Sequence, residues 1–302
     1  MGRKGGAMRI LFAGDEQHYS EFAMNEVVRL AMNTWADVTF LGVVSEGLGA
    51  EAATAGGGAL SRHPLNEAFN KYRETFLSAW GNEGSPYSLQ EPQYEWVSCR
   101  GGQWEQLRIS RGVRKDLKVR LRAGDTAAEI LAEAREEGVD LIVLGCTKGE
   151  RCLWQGGLTV PQKVANDASC SVLLVKEDQP TSRILACLDQ TSVSQESLEM
   201  INQMATIHKA QLQLIGLTKE GGMKTDAYTR LIELGDYYSD RQIPVATKLI
   251  EVPDFTNSLA QETQKDLLAL WMGKKSLLDR FYPRDWVEKL IATSPTSVLV
   301  LR

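Results

Sequence analysis

No apolar run in the sequence approaches the roughly 18 residues that a membrane-spanning helix needs, so a membrane partner is not expected. Sulfur chemistry is scarce. The five cysteines (Cys99, Cys146, Cys152, Cys170 and Cys187) are odd in number and contain no Cys-x-x-Cys pair, which argues against a disulfide framework and against a dithiol redox motif. His18, His63 and His208 are scattered without metal-ligand spacing, so a zinc site is not expected. Basic charge is not in surplus either: 34 Lys and Arg stand against 39 Asp and Glu, for a net charge of -5. A nucleic-acid binder would show a basic face, so nucleic acid is not an expected partner. The first eight residues, Met1-Gly-Arg-Lys-Gly-Gly-Ala-Met8, are basic but lead into no apolar core. They do not read as a secretory signal, and the expected location is a reducing cytoplasm. No nucleophile, base and acid constellation is legible, nor a motif of paired carboxylates, so an enzyme in the usual sense is not supported.

What is present is a globular composition, 43% hydrophobic and 24% charged over 302 residues, long enough for two domains with cores of their own. The centre of the chain is the stretch from Asp140 to Lys176. Asp140-Leu-Ile-Val-Leu-Gly145 reads as a strand buried on both faces, as in a parallel α/β sheet. A loop with Gly149, Gly156 and Gly157 follows, then Thr159 opening a helix, then the strand Ser171-Val-Leu-Leu-Val175. Such a loop is where open α/β folds hold a phosphate, because glycines let the backbone approach and the helix N–H groups point at the anion. The loop is neither a Walker P-loop nor a Gly-x-Gly-x-x-Gly fingerprint. Thr159 with Gln162 also forms an ordinary capping box, with Pro161 suited to a first helical turn, which explains Thr159 without a ligand. Cys146 and Cys152 flank this loop with no neighbouring base to activate them.

Earlier in the chain, Arg9 to Ala13 reads as a strand ending at Gly14-Asp15, followed by a helix from about Ser20 with Ser20 as its N-cap. Val38 to Val44 is the second strand and Leu65 to Trp80 a helix, while periodicity is poorest over 47–64 and 81–114. Leu117 to Leu121 reads as a third strand, and Thr126 with Glu129 as a capping box at the next helix. From Ser182 this order starts again. Arg183-Ile-Leu-Ala-Cys-Leu-Asp189 restates Arg9-Ile-Leu-Phe-Ala-Gly-Asp15, and Ser194 follows Asp189 by the interval that separates Ser20 from Asp15. Gln211 to Leu217 repeats the second strand and Val252-Pro-Asp254 the Gly124-Asp125 turn. Asp266-Leu-Leu-Ala-Leu-Trp-Met-Gly273 repeats the fourth strand, with Gly273 in the place of Gly145, and Ser297 to Leu301 repeats the last. The expected fold is therefore α/β: two tandem five-stranded parallel-sheet domains with flanking helices, 8–177 and 182–302, the first carrying a long insertion at about 47–114.

This pattern resembles the universal stress protein family: the strand-to-Asp15 start with Ser20, the Gly124-Asp125 helix start, Asp140 to Gly145, and the closing Ser171 to Val175. The resemblance implies pairing through the last strand and, in one subclass, ATP at the strand ends, with Mg as its counter-ion. Carried over by position, Asp15 and the backbone at Val43 face the base, and Gly145, Gly149 and Thr159 surround ribose and phosphates, with Gly156 and Gly157 just upstream. The glycine spacing departs from that subclass, since three residues separate Gly145 from Gly149 and Leu158-Thr159 stands where Gly-Ser is expected. The second copy departs further. Gly273-Lys-Lys-Ser276 replaces the second glycine, and Arg284-Asp285 holds the Gly-Ser position, with Asp285 and Glu288 capping the helix internally and repelling phosphate.

Two functions follow from the resemblance. One is a stress-response module that binds an adenine nucleotide in its first domain and hydrolyses it slowly at most. The other is a scaffold without nucleotide, its domains paired with each other, assembling as a homodimer and acting on a signalling protein through the insertion. An adenylate-forming or electron-transfer relative of the same fold class is a weaker third.

Overall fold

The computed structural model describes residues 8–44, 64–80, 85–87, 93–98, 104–109, 115–147, 160–188, 193–218, 224–251, 255, 266–272 and 294–302. Its contacts divide the chain into two units, the first running to Cys170 and the second from Ser171.

In the first unit, β1 (Arg9–Ala13), β2 (Asp37–Val44), β5 (Leu117–Ala123) and β6 (Leu141–Gly145) form a parallel sheet in the order β6-β1-β2-β5. Every residue of β6 is buried, as its unbroken apolar run requires of a central parallel strand. Two further strands, β3 (Gln93–Ser98) and β4 (Trp104–Ile109), form an antiparallel hairpin whose β4 pairs with β5, Gln106 standing opposite Val119. These strands were not anticipated. They lie within the stretch read only as an insertion, and they cover the β5 edge, which would otherwise present unpaired N–H and C=O groups.

The helices of this unit are α1 (His18–Thr34), α2 (Pro64–Ser78), α3 (Thr126–Glu137) and α4 (Val160–Asp167). The sequence placed α2 within two residues of its bounds at either end. It docks through aromatic contacts: Tyr72 meets Phe12 edge-on at 5.3 Å, Phe69 meets it tilted at 6.3 Å, and Phe76 meets Phe40 and Tyr87 edge-on at 5.6 and 4.9 Å. Aromatic pairs of this kind add about 0.5–1.5 kcal/mol each beyond their buried area. Part of the insertion thus belongs to the core. Gly42 makes room for α2, since a Cβ there would come within 2.8 Å of Leu65 and 3.1 Å of Phe69.

The N-cap of α3 is Asp125, whose side chain accepts from the Ala128 N–H at 3.0 Å. The expected Thr126–Glu129 box is therefore one residue out. With Asp125 doing the capping, Glu129 turns instead towards Arg122, 3.3 Å away.

The second unit has β7 (Ser171–Val175), β8 (Arg183–Cys187), β9 (Gln211–Thr218), β10 (Val245–Glu251), β11 (Asp266–Trp271) and β12 (Val298–Leu301), in the order β10-β9-β8-β11-β12-β7. The first five are parallel; β7 pairs antiparallel with β12, Leu173 opposite Leu299. Two helices are described, α5 (Gln195–His208) and α6 (Lys224–Ser239). Ser194 is a true N-cap here, accepting from the Ser197 N–H at 3.1 Å. Asp189, Val252 to Asp254, and Gly273 to Glu288, on which several expectations for the second copy rest, lie outside the described residues.

Sheet register corrects the repeat in one place. Leu144 pairs with Ala13 in the first unit and Leu270 with Cys187 in the second. Since Ala13 and Cys187 are equivalent, the counterpart of Gly145 is Trp271, not Gly273. Matching glycine to glycine sets the end of the fourth strand two residues too far, at Gly273 rather than Trp271, while its start at Asp266 holds.

Candidate functional site

The strand order reverses beside β1, and ligands of open α/β sheets sit at such a point, outside the carboxyl ends of the strands. Asp15 follows β1 there, Val43 is near the end of β2, and Gly145 ends β6. The register brings the three together, because Ala13 pairs with both Leu41 and Leu144. Gly149, Gly156, Gly157 and Thr159 lie outside the described residues.

Asp15 is 5% exposed. One carboxylate oxygen accepts from the Ser20 hydroxyl at 2.6 Å and from the Gln17 N–H at 3.0 Å, and the other accepts from the Tyr19 hydroxyl at 2.5 Å. Its own N–H donates to Ser20 Oγ at 3.2 Å, and its carbonyl accepts from the Tyr72 hydroxyl at 2.7 Å. Burial and the nearby Asp15 push the Tyr72 phenol up, keeping it a donor. A carboxylate has about four acceptor positions; three are filled from within the chain.

Ser20 is accordingly not the N-cap of α1. The N-cap is Gln17, which makes no side-chain cap bond, and Asp15 satisfies its N–H in an Asx turn. Ser20 lies inside the first turn, fully buried, where its hydroxyl reaches back to the carboxylate. Sequence reading saw the interval between Asp15 and Ser20 but not Tyr19 and Tyr72, which close the arrangement. Tyr19 is four residues from Asp15, helical spacing that could have raised it as a partner. Nothing local in the sequence announces Tyr72.

Gly145 is held by packing. A Cβ there would lie 2.3 Å from the Tyr19 carbonyl oxygen and 2.6 Å from its carbon, so the first turn of α1 needs this residue to be glycine. Cys146 is buried, with its thiol 3.5 Å from the Thr147 carbonyl. Val43 is half-buried.

Among the described residues, Ser20, Tyr19 and Gln17 take three acceptor positions of the Asp15 carboxylate, which leaves one for any further donor. Burial pushes the Asp15 carboxyl above its ordinary 3.8, outweighing the hydrogen bonds from Ser20, Tyr19 and Gln17 that pull it down. The folded state then holds its proton to higher pH than the unfolded chain does. The stability Asp15 contributes is fullest below the unfolded value and declines as pH rises through the folded one. Urea unfolding from about pH 7 down to about pH 4 should show the stability difference between the wild type and Asp15→Asn moving in favour of the wild type. A difference that stays flat with pH would mean the carboxyl is not shifted.

Fold and site together define an open, doubly wound α/β protein with its candidate site at the strand-order reversal. The family model of the Universal stress protein family matches residues 7–176, and the chain belongs to that family. Among solved structures it is similar to a universal stress protein from Archaeoglobus fulgidus DSM 4304, at 15% identity and a TM-score of 0.64, covering 97% of this chain and 96% of that one. It is also similar to a functionally unknown protein from Pseudomonas aeruginosa PAO1, at 15% identity and a TM-score of 0.59, covering 98% and 92%. A third likeness is to the cytoplasmic domain of a prokaryotic cation chloride cotransporter, at 12% identity and a TM-score of 0.52, covering 98% and 95%. No curated protein matches. Among the described residues no helix is long and apolar enough to cross a membrane.

Proposed function

We propose that this chain is a cytoplasmic regulatory module of the universal stress protein family that works through contacts with a signalling protein, and that Asp15 is a structural latch in it. The observation that carries this reading is the enclosure of Asp15. Its carboxylate holds the first turn of α1 through Ser20, Gln17 and Tyr19 while its carbonyl holds α2 through Tyr72. A carboxylate with three of its four acceptor positions filled from within the chain has one left for a base. Assembly as a homodimer and a partner docking on the insertion belong to the same reading.

A second reading, adenine-nucleotide binding in the first unit with Mg as counter-ion, is favoured by one observation. Asp15, Val43 and Gly145 do converge at the carboxyl ends of three adjacent strands. Gly149, Gly156, Gly157 and Thr159 would then supply the phosphate loop. A thermal-shift series on the full chain with millimolar ATP and Mg separates the two. The latch reading expects no change in melting temperature. Stabilisation that Asp15→Ala abolishes would establish the second reading.

A further inference from the structure

The amino ends of β1, β2 and β5 lie at the opposite end of the first unit's sheet from Asp15, and their residues line a cavity of about 90 Å³. Register makes that lining contiguous. Arg9 pairs with Asp37 across β1 and β2, and Thr39, two residues further and so on the same face, pairs with Lys118 of β5. Asp116 joins them through its N–H, which donates to Asp37 Oδ1 at 3.3 Å. Glu137 borders the cavity from the end of α3.

Thr39 is 8% exposed, and its hydroxyl has no hydrogen-bond partner among the described residues. A hydroxyl so buried almost always has one, from the chain, from water or from a ligand. The charged groups around it are only partly used. Arg9 donates from Nη1 to the Glu137 carbonyl at 2.5 Å, which leaves most of the guanidinium's donors. Lys118 turns one ammonium proton to Glu137 at 3.1 Å. One Asp37 oxygen is engaged, by the Asp116 N–H and by Lys115 at 3.8 Å. Among the described residues the Asp116 carboxylate has no hydrogen bond or ion pair, and Arg9 pairs with neither aspartate. Both signs of charge thus line one space without joining across it. An anion alone would meet the carboxylates of Asp37 and Asp116, and a cation alone the charges of Arg9 and Lys118. A molecule carrying both charges is matched. One water needs about 10–15 Å³ of such space, so the cavity takes a molecule of about six to nine non-hydrogen atoms, the size of a small amino acid.

We propose that this cavity binds a small zwitterion of the amino-acid class, its carboxylate held by Arg9, Lys118 and the Thr39 hydroxyl and its ammonium by Asp37 and Asp116. The inference is independent of the latch at Asp15. It concerns the other end of the strands, and its ligand is not a nucleotide.

The test is equilibrium dialysis of the full chain against isotope-labelled glycine, which is small enough for the cavity and carries both charges. Uptake should saturate at one glycine per chain. Acetate and methylammonium each carry one of the two charges. They should compete at least about tenfold less well than unlabelled glycine, as the loss of a charged hydrogen bond implies. Thr39→Val, nearly the same shape, should weaken glycine binding about two- to tenfold, the effect of one hydrogen bond. Asp116→Asn, at an exposed position where folding is not at stake, should weaken it as well. Glycine uptake that does not saturate would overturn the proposal, since water alone would then fill the cavity. So would acetate that competes as well as glycine, which would make this an anion site, or a Thr39→Val chain that binds glycine unchanged.

Discussion

Replacing Glu133 with alanine should destabilise the first unit by about 3–5 kcal/mol, because it leaves buried arginines without their central partner. Three cations alternate along one face of β5: Lys118, Arg120 and Arg122. Glu129, Glu133 and Glu137 follow one another at helical spacing on α3 and meet them. Glu133 is fully buried, with one oxygen 2.6 Å from Arg120 and the other 2.9 Å from Nε of Arg122. The second contact is close but not aligned as a hydrogen bond, since both of its atoms lack one. Arg122 is itself 2% exposed and also meets Glu129 and Glu136, while Glu137 pairs with Arg120 at 2.7 Å and Lys118 at 3.1 Å. Burial pushes the Glu133 carboxyl up while Arg120 and Arg122 pull it down, so the group sits where desolvation and attraction compete. Glu136→Ala, at the 58% exposed end of the network, should cost under about 1 kcal/mol, as exposed pairs do. Urea unfolding of both variants checks the contrast; equal effects would mean that burial does not set the strength of the network. Replacing Arg120, Arg122 and Glu133 together with apolar residues of similar volume should be far less damaging than the single change.

Gly145→Val is expected to have the second large effect, at or above the roughly 1–3 kcal/mol usual for overpacking. The atom in the way is backbone, the Tyr19 carbonyl 2.3 Å from the new Cβ, and it cannot rotate aside as a side chain would. Moving Tyr19 also withdraws its hydroxyl from Asp15, so the latch opens with the clash. Gly235→Ala supplies a contrast of opposite sign. It lies inside α6, and its Cβ would meet only Thr247 Cγ2 at an ordinary 3.5 Å. Alanine there should raise stability by about 0.5–1 kcal/mol through helix propensity. Thermal unfolding of the two variants should therefore move in opposite directions; a Gly145→Val protein as stable as the wild type would contradict the packing account.

The parts of the fold that were legible in the sequence are those where burial dictates composition. β1 and β7 were placed to the residue and β6 to within one, because central parallel strands are apolar on both faces. β10 and α6 are implied by the repeat, but the sequence gives neither of them bounds. The exposure along Val245–Glu251 mixes buried, intermediate and exposed residues without alternation, as an edge strand with one neighbour allows. The hairpin of β3 and β4 was missed because an antiparallel ribbon is fixed by cross-strand pairing that no local period records.

The meeting of three candidate residues was legible in the sequence, while the contacts that hold them were not. Asp15, Val43 and Gly145 do meet, since strand order and register follow from the repeat. What the spacing could not show is that Tyr72, on a helix of the insertion, arrives at Asp15, or that Gly145 answers to Tyr19. Those are contacts across 57 and 126 residues of chain, set by packing rather than by motif. The shift from Gly273 to Trp271 teaches the same lesson, because sheet register decides equivalence where a glycine pattern only proposes it.

The account stands most directly on whether anything occupies the first unit beside Asp15. The decisive measurement is to denature freshly purified full-length protein and identify released small molecules by chromatography and mass spectrometry. The latch account predicts no adenine nucleotide in stoichiometric amount. Roughly one ATP or AMP per chain, absent from Asp15→Ala protein that remains folded, would contradict it.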